Sequence, residues 1–134
     1  MDTHAARRAS AAVAAIGLDH TRLSYAYLNC GDIDAYASLF HDDVVVRRPD
    51  ATTIHGRDAL EHMQTCGNDR PPGRYVVHHV FASDRRVAAT GCYEIAATGE
   101  SVEFADIFTI AETGLILAQC TYFFVPPTAP VTPG

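Results

Sequence analysis

RYVVHHVFA (Arg74–Ala82), VAATGCYEIA (Val87–Ala96), SVEFADIFTIA (Ser101–Ala111) and LILAQCTYFFV (Leu115–Val125) are four successive runs rich in β-branched and aromatic residues. Their separators, Asp84-Arg85-Arg86, Thr98-Gly99-Glu100 and Glu112-Thr113-Gly114, are hairpin-sized and turn-rich, so the runs read as an antiparallel meander. A sheet of this kind needs something to cover one of its faces, and the residues upstream supply it.

From Ser10 to Leu28 the apolar residues Val13, Ile16, Leu23 and Tyr27 recur at helical spacing, and Asn29-Cys30-Gly31 ends the helix. Asp32 is placed to cap a second helix in which Ile33, Tyr36, Leu39 and Phe40 share a face. Val44 to Arg48 is a β-branched run stopped by Pro49, and Gly56 to Cys66 reads as a short third helix with Ala59, Leu60 and Met63 inward. Helices first and a meander after them give an α+β fold, a curled antiparallel sheet wrapped around N-terminal helices, which closes a pocket. The expected domain runs over residues 10–125, with a flexible N-terminus at 1–9 and a flexible proline-rich tail at 126–134.

The 134 residues suit one domain, and a formal charge of −6 without any Lys/Arg run argues against a nucleic-acid partner. No stretch reaches the roughly 18 apolar residues of a membrane span. Cys30, Cys66, Cys92 and Cys120 form no Cys-x-x-Cys pair and read as reduced thiols, which suggests a cytoplasmic protein. His55 and His62, and the adjacent His78 and His79, lack metal-ligand spacing, and no glycine-rich phosphate loop occurs. Neither a metal nor another cofactor is expected.

Four short motifs in order, Asn29-Cys-Gly-Asp-Ile-Asp, Leu39-Phe-His-Asp-Asp-Val, Ile54-His-Gly-Arg-Asp and Phe104-Ala-Asp-Ile-Phe, resemble landmarks of the nuclear transport factor 2-like superfamily. The resemblance spans about residues 11–125 and lies nearest the ketosteroid isomerases and the SnoaL-like polyketide cyclases. It implies a conical pocket and cofactor-free proton transfer on polycyclic or polyketide substrates, a biosynthetic tailoring step. In ketosteroid isomerase an aspartate base works with a tyrosine and a protonated aspartate that hold the oxyanion. By that resemblance Asp106 falls at the protonated aspartate, Arg48 stands where the base would be, and the tyrosine position falls on Ser24 with Tyr25 beside it. An epoxide hydrolase of the limonene type is the next relative, but its second aspartate would be expected near Thr121 and its Arg-x-Asp has no counterpart in Val87–Glu94.

Period-2 alternation puts Val102, Phe104, Phe108 and Ile110 on the side of the strand that carries Asp106. A carboxyl there is costly to ionise and suited to shuttling a proton; the bland alternative is a solvated or salt-bridged aspartate. Arg48, turned the same way as Val44 and Val46, would hold an enolate oxygen, pair with Asp106, or simply end a strand in water. One of His78 and His79 should face the pocket, and the resemblance favours His78, as a base or as a packed histidine. Tyr93 is either a hydroxyl donor to a ligand carbonyl or ordinary core. Ser24, Tyr25, Phe104, Phe108, Gln119, Thr121 and Phe123 complete the expected lining for a small apolar molecule. Ile107, Leu117 and Tyr122 on the outer side of the late strands suggest a homodimer through the sheet. A module that binds a ligand or dimerises without catalysis is the competing reading.

Overall fold

The computed structural model describes residues 3–67 and 70–124. A long helix α1 (Thr3–Cys30) is followed by α2 (Ile33–Ala37), a hairpin of β1 (Phe40–Arg47) and β2 (Thr53–His55), helix α3 (Arg57–His62), and then β3 (Gly73–Ser83), β4 (Arg86–Ile95), β5 (Ser101–Ile110) and β6 (Ile116–Phe124). The fold is α+β, with the helices on one face of a curled sheet of order β2-β1-β6-β5-β4-β3. The sheet is not wholly antiparallel, because β1 and β6 pair in parallel. The chain leaves the β1–β2 hairpin through α3, starts β3 at the far edge and returns strand by strand to β1, so its last strand meets β1 running the same way.

Helix α1 starts at Thr3, through residues left outside the expected domain, and its first ten residues are exposed. Alanines at 5, 6, 9, 11 and 12 explain a helix there without tertiary contacts, since alanine loses least on entering one. At its other end Gly31 has φ +76°, and the amides of Gly31 and Asp32 bond back to the carbonyls of Leu28 and Tyr27. That is a Schellman stop, and Asp32 then caps α2 by accepting from the Ala35 amide at 3.1 Å.

The face of α1 that meets the sheet differs from the expected one: Ile16 and Leu23 are exposed, while Gly17, Thr21, Ser24 and Tyr25 are buried. Small residues allow the closer approach. A β-carbon at Gly17 would sit 2.5 Å from Ile110 Cγ1, so the helix rests directly on β5. The remaining core runs through Phe40, Val44, Val46, Leu60, Val87, Phe108, Ile110 and Ile116. The tail 126–134 lies outside the described residues. No described helix is long and apolar enough to cross a membrane.

Candidate functional site

The concave face and the helices enclose a cavity of about 450 Å³, within the range of small-molecule sites. Leu28, Leu60, Met63 and Ile95 give it apolar walls. Asp106 lies at its base, 2% exposed, in the middle of β5. Alternation places it inward, and register sets Thr121 of β6 directly opposite.

Both carboxylate oxygens of Asp106 receive hydroxyl protons. The Tyr25 hydroxyl donates to Oδ2, and Thr121 Oγ1 donates to Oδ1 at 2.5 Å. Gln119 Nε2 donates in turn to Thr121 Oγ1 at 3.4 Å. Burial pushes the Asp106 carboxyl above the ordinary carboxylate range, while the donors Thr121, Tyr25 and Gln119 and the field of Arg70 pull the other way. Burial, and then the neighbouring Asp106, also pushes the Tyr25 phenol upward, so it stays protonated and serves as a donor. The arrangement can hold a proton on Asp106 or release it, and either exchange realigns two hydroxyls that border the cavity.

The profile of the SnoaL-like domain matches residues 21–119. The chain belongs to the SnoaL-like family. Its structure is similar to a candidate ketosteroid isomerase from Kribbella flavida, at 16% identity over 87% of this chain and 85% of that one, with a TM-score of 0.73. It is also similar to an LEH-like epoxide hydrolase from M. tuberculosis, at 17% identity over 83% and 84% of the two chains and a TM-score of 0.70. A Methylobium petroleophilum protein of unknown function and cystatin-like fold matches at 13% identity over 89% and 82%, with a TM-score of 0.74. At such identities the neighbours speak for the fold. No curated protein matches the sequence.

In this SnoaL-like chain Ser24, Tyr25, Asp106, Gln119, Thr121 and Phe123 all line the cavity. The Ser24 hydroxyl, however, is spent on the Thr21 carbonyl at 2.6 Å, so Tyr25 provides the phenol at the helix position. Arg48 reaches the cavity wall half-buried, beside Pro49 and Asp50, while the hydrogen bonds to Asp106 come from the hydroxyls. Phe104 and Phe108 are core rather than lining: they buttress the Tyr25 ring, with centroids at 5.6 and 6.2 Å. Tyr93 borders the cavity by its ring, but its hydroxyl donates to the Pro71 carbonyl at 2.5 Å and is not offered to a ligand. His20 on α1 meets the Gly114 carbonyl at 2.7 Å, a packing role.

His78 does not face the cavity. A bulge between Val77 and His79 interrupts the pairing of β3 with β4, so Val77 and Val80 both turn inward and the two histidines between them both turn out. His78 Nε2 lies 4.0 Å from Cys92 Sγ on the outer face, and the His79 ring stacks on Phe81 at 5.9 Å. The rule that adjacent strand residues point opposite ways fails at a bulge, and Gly91, facing Val77 on β4, leaves the room for it: a β-carbon there would collide with the Val76 carbonyl oxygen.

The sequence reading of the site missed the polar lining residues Tyr36, Asp50, Gln64, Arg70 and Tyr75. Gln64 sits in a wide π-type turn, Met63–Gly67, that extends α3. Tyr75 precedes Val77 by two and so shares its inward side, a signal that alternation could have given. Arg70 lies just before the Pro71-Pro72 turn, and nothing in the local pattern points it at the cavity. Among the described residues no three His, Cys, Asp or Glu side chains gather as metal ligands would.

Proposed function

We propose that this protein is a cofactor-independent isomerase or cyclase that moves a proton on an apolar, carbonyl-bearing metabolite of polyketide or steroid type. The supporting observation is the buried Asp106 at the base of a ligand-sized cavity with a hydroxyl on each oxygen. In the ionised state Asp106 takes a proton from the carbon beside a carbonyl. The C–H electron pair passes into the new C=C bond and the carbonyl oxygen becomes an enolate. Return of the proton at another carbon isomerises the ligand; alternatively the enolate carbon attacks a second carbonyl and closes a ring, and the proton passes from Asp106 to the new alkoxide oxygen. Once Asp106 is protonated, it donates to Tyr25 or Thr121, and that hydroxyl turns its own hydrogen towards the ligand oxygen. With His78 on the outer face, Asp106 is the base that this reading requires.

The same hydroxyl contacts favour a second reading. If the Tyr25–Asp106–Thr121 cluster serves only to satisfy a buried carboxyl, the cavity binds its ligand without turning it over. Deuterium exchange at the enolisable positions of 2-tetralone, followed by NMR with and without protein, separates the two. Catalysed exchange is expected. Binding without exchange above the buffer rate supports the binding module, and no exchange by any enolisable ketone that binds would remove the catalytic reading.

A further inference from the structure

The proton-transfer reading gives no part to Arg70, one of two arginines on the cavity wall among the described residues. Arg70 lines the wall with its guanidinium carbon 5.1 Å from the Tyr75 ring centroid and 5.2 Å from that of Tyr93. One of its Nη atoms donates to the Tyr75 hydroxyl. The Tyr93 ring is pinned in turn by its bond to the Pro71 carbonyl, one residue on from Arg70. Two rings and a hydrogen bond therefore fix the plane of a side chain that otherwise has many rotamers.

We propose that the cavity takes an amphipathic oxo-carboxylic acid, its carboxylate seated by the Arg70 guanidinium and the Tyr75 hydroxyl and its carbonyl-bearing body directed towards Asp106. This rests on the reading of the cavity as a ligand site and narrows the substrate class.

A neutral apolar ligand filling the cavity would displace water from the half-buried Arg70 without offering it an acceptor. A carboxylate replaces that water with a charge-assisted, fork-shaped contact. Tyr75 is suited to join it. Its oxygen accepts from Arg70, which leaves its own proton to donate. Burial pushes its phenol up to about 12, with Arg70 restraining the rise, so the proton stays in place.

The charge balance agrees. The chain carries −6 overall, yet among the described residues the cavity wall holds two arginines, Arg48 and Arg70, beside a buried Asp106 bound by hydroxyls and an exposed Asp50 at the rim. Arg70, its guanidinium held by two tyrosine rings, is assigned the carboxylate. Tyr25 borders both ends of the site: its ring lies 5.4 Å from that of Tyr75 and its hydroxyl reaches Asp106.

Titration calorimetry at neutral pH with 2-naphthoate and its neutral isostere 2-naphthamide tests the assignment. Wild type should bind the acid at least about tenfold more tightly, the ratio that one charge-assisted contact supplies. Arg70→Gln should erase that preference and change amide affinity less than about threefold. Tyr75→Phe should reduce the preference, Arg70→Lys should keep part of it, and Arg48→Gln should leave it. Equal binding of acid and amide by wild type overturns the proposal while the ligand site stands, as does a preference that survives Arg70→Gln or is lost instead in Arg48→Gln. Failure of both probes to bind wild type overturns the ligand-site reading and this proposal with it. Should Arg70→Gln fail to fold, the Arg70→Lys and Tyr75→Phe ratios decide: both unchanged from wild type refutes the seat.

Discussion

Replacing Asp106 by Asn removes the titratable carboxyl from the base of the cavity and keeps the shape of the side chain. The structure sets the cost. Asp106 accepts from two hydroxyls, Tyr25 and Thr121; Asn accepts from one and donates its amide to the other, which a hydroxyl can receive. Only one hydroxyl has to turn, so the loss should be about 1 kcal/mol, or roughly 3–5 °C in melting temperature for a domain of this size. The pH dependence carries a sign. Burial raises the Asp106 pKa above its ordinary 3.8, so the folded state holds the proton more tightly than the unfolded chain does. The stability this contributes is complete below the unfolded value and is lost as pH rises through the folded one, by at most about 1.4 kcal/mol per pH unit. Asn does not titrate. The variant should therefore gain on wild type as pH climbs from 3.8 towards the folded value. Melting curves across that range, read beside deuterium exchange of 2-tetralone, form the assay, and exchange should fall by about 10²–10⁴-fold. Unchanged exchange in a variant with a normal melting curve refutes the proton-transfer role. A loss of about 3–5 kcal/mol at every pH would instead be the signature of a broken buried ion pair, and would refute the hydroxyl-bound carboxyl described above.

Tyr25→Phe takes one donor from Asp106 and should destabilise the fold by about 1–3 kcal/mol in thermal melts, while moving the pH midpoint of exchange upward because that donor lowers the Asp106 pKa. His78→Ala changes a side chain on the outer face and should leave 2-tetralone exchange within about twofold of wild type, a change of under about half a kcal/mol; a larger loss would bring the histidine back into the site. Gly17→Ala pushes α1 off Ile110 and should cost about 1–3 kcal/mol, measured by denaturant unfolding. Tyr122 and Phe124, 57% and 59% exposed on the outer sheet face, support the proposal of a homodimer through that face. Wild type should sediment as a dimer at micromolar concentration and Tyr122→Lys as a monomer, whereas a monomeric wild type would remove the proposal.

Much of this protein follows from local rules. Period-2 alternation in residues 101–111 set Asp106 beside Phe104 and Phe108, and the structure keeps them on one side, because a strand with one buried face cannot slip by a residue without exposing its core. Gly31 and Asp32 stop one helix and start the next by bonds within a few residues, so they too are legible in sequence. What tertiary structure alone decided depends on elements meeting at a distance. The parallel pairing of β1 with β6 follows from the path of the whole chain, and no residue in either strand encodes it. The choice of Tyr25 over Ser24 as partner of Asp106 is fixed by how α1 rotates when Gly17 lets it settle on Ile110. The bulge that turns His78 outward lies on β3, while the glycine that makes room for it, Gly91, lies on β4, so its meaning appears only once the two strands are paired. Arg70 enters the cavity because Tyr75 and Tyr93, on paired strands, present two rings to one guanidinium, and a cation–π clamp between distant residues has no periodicity to read.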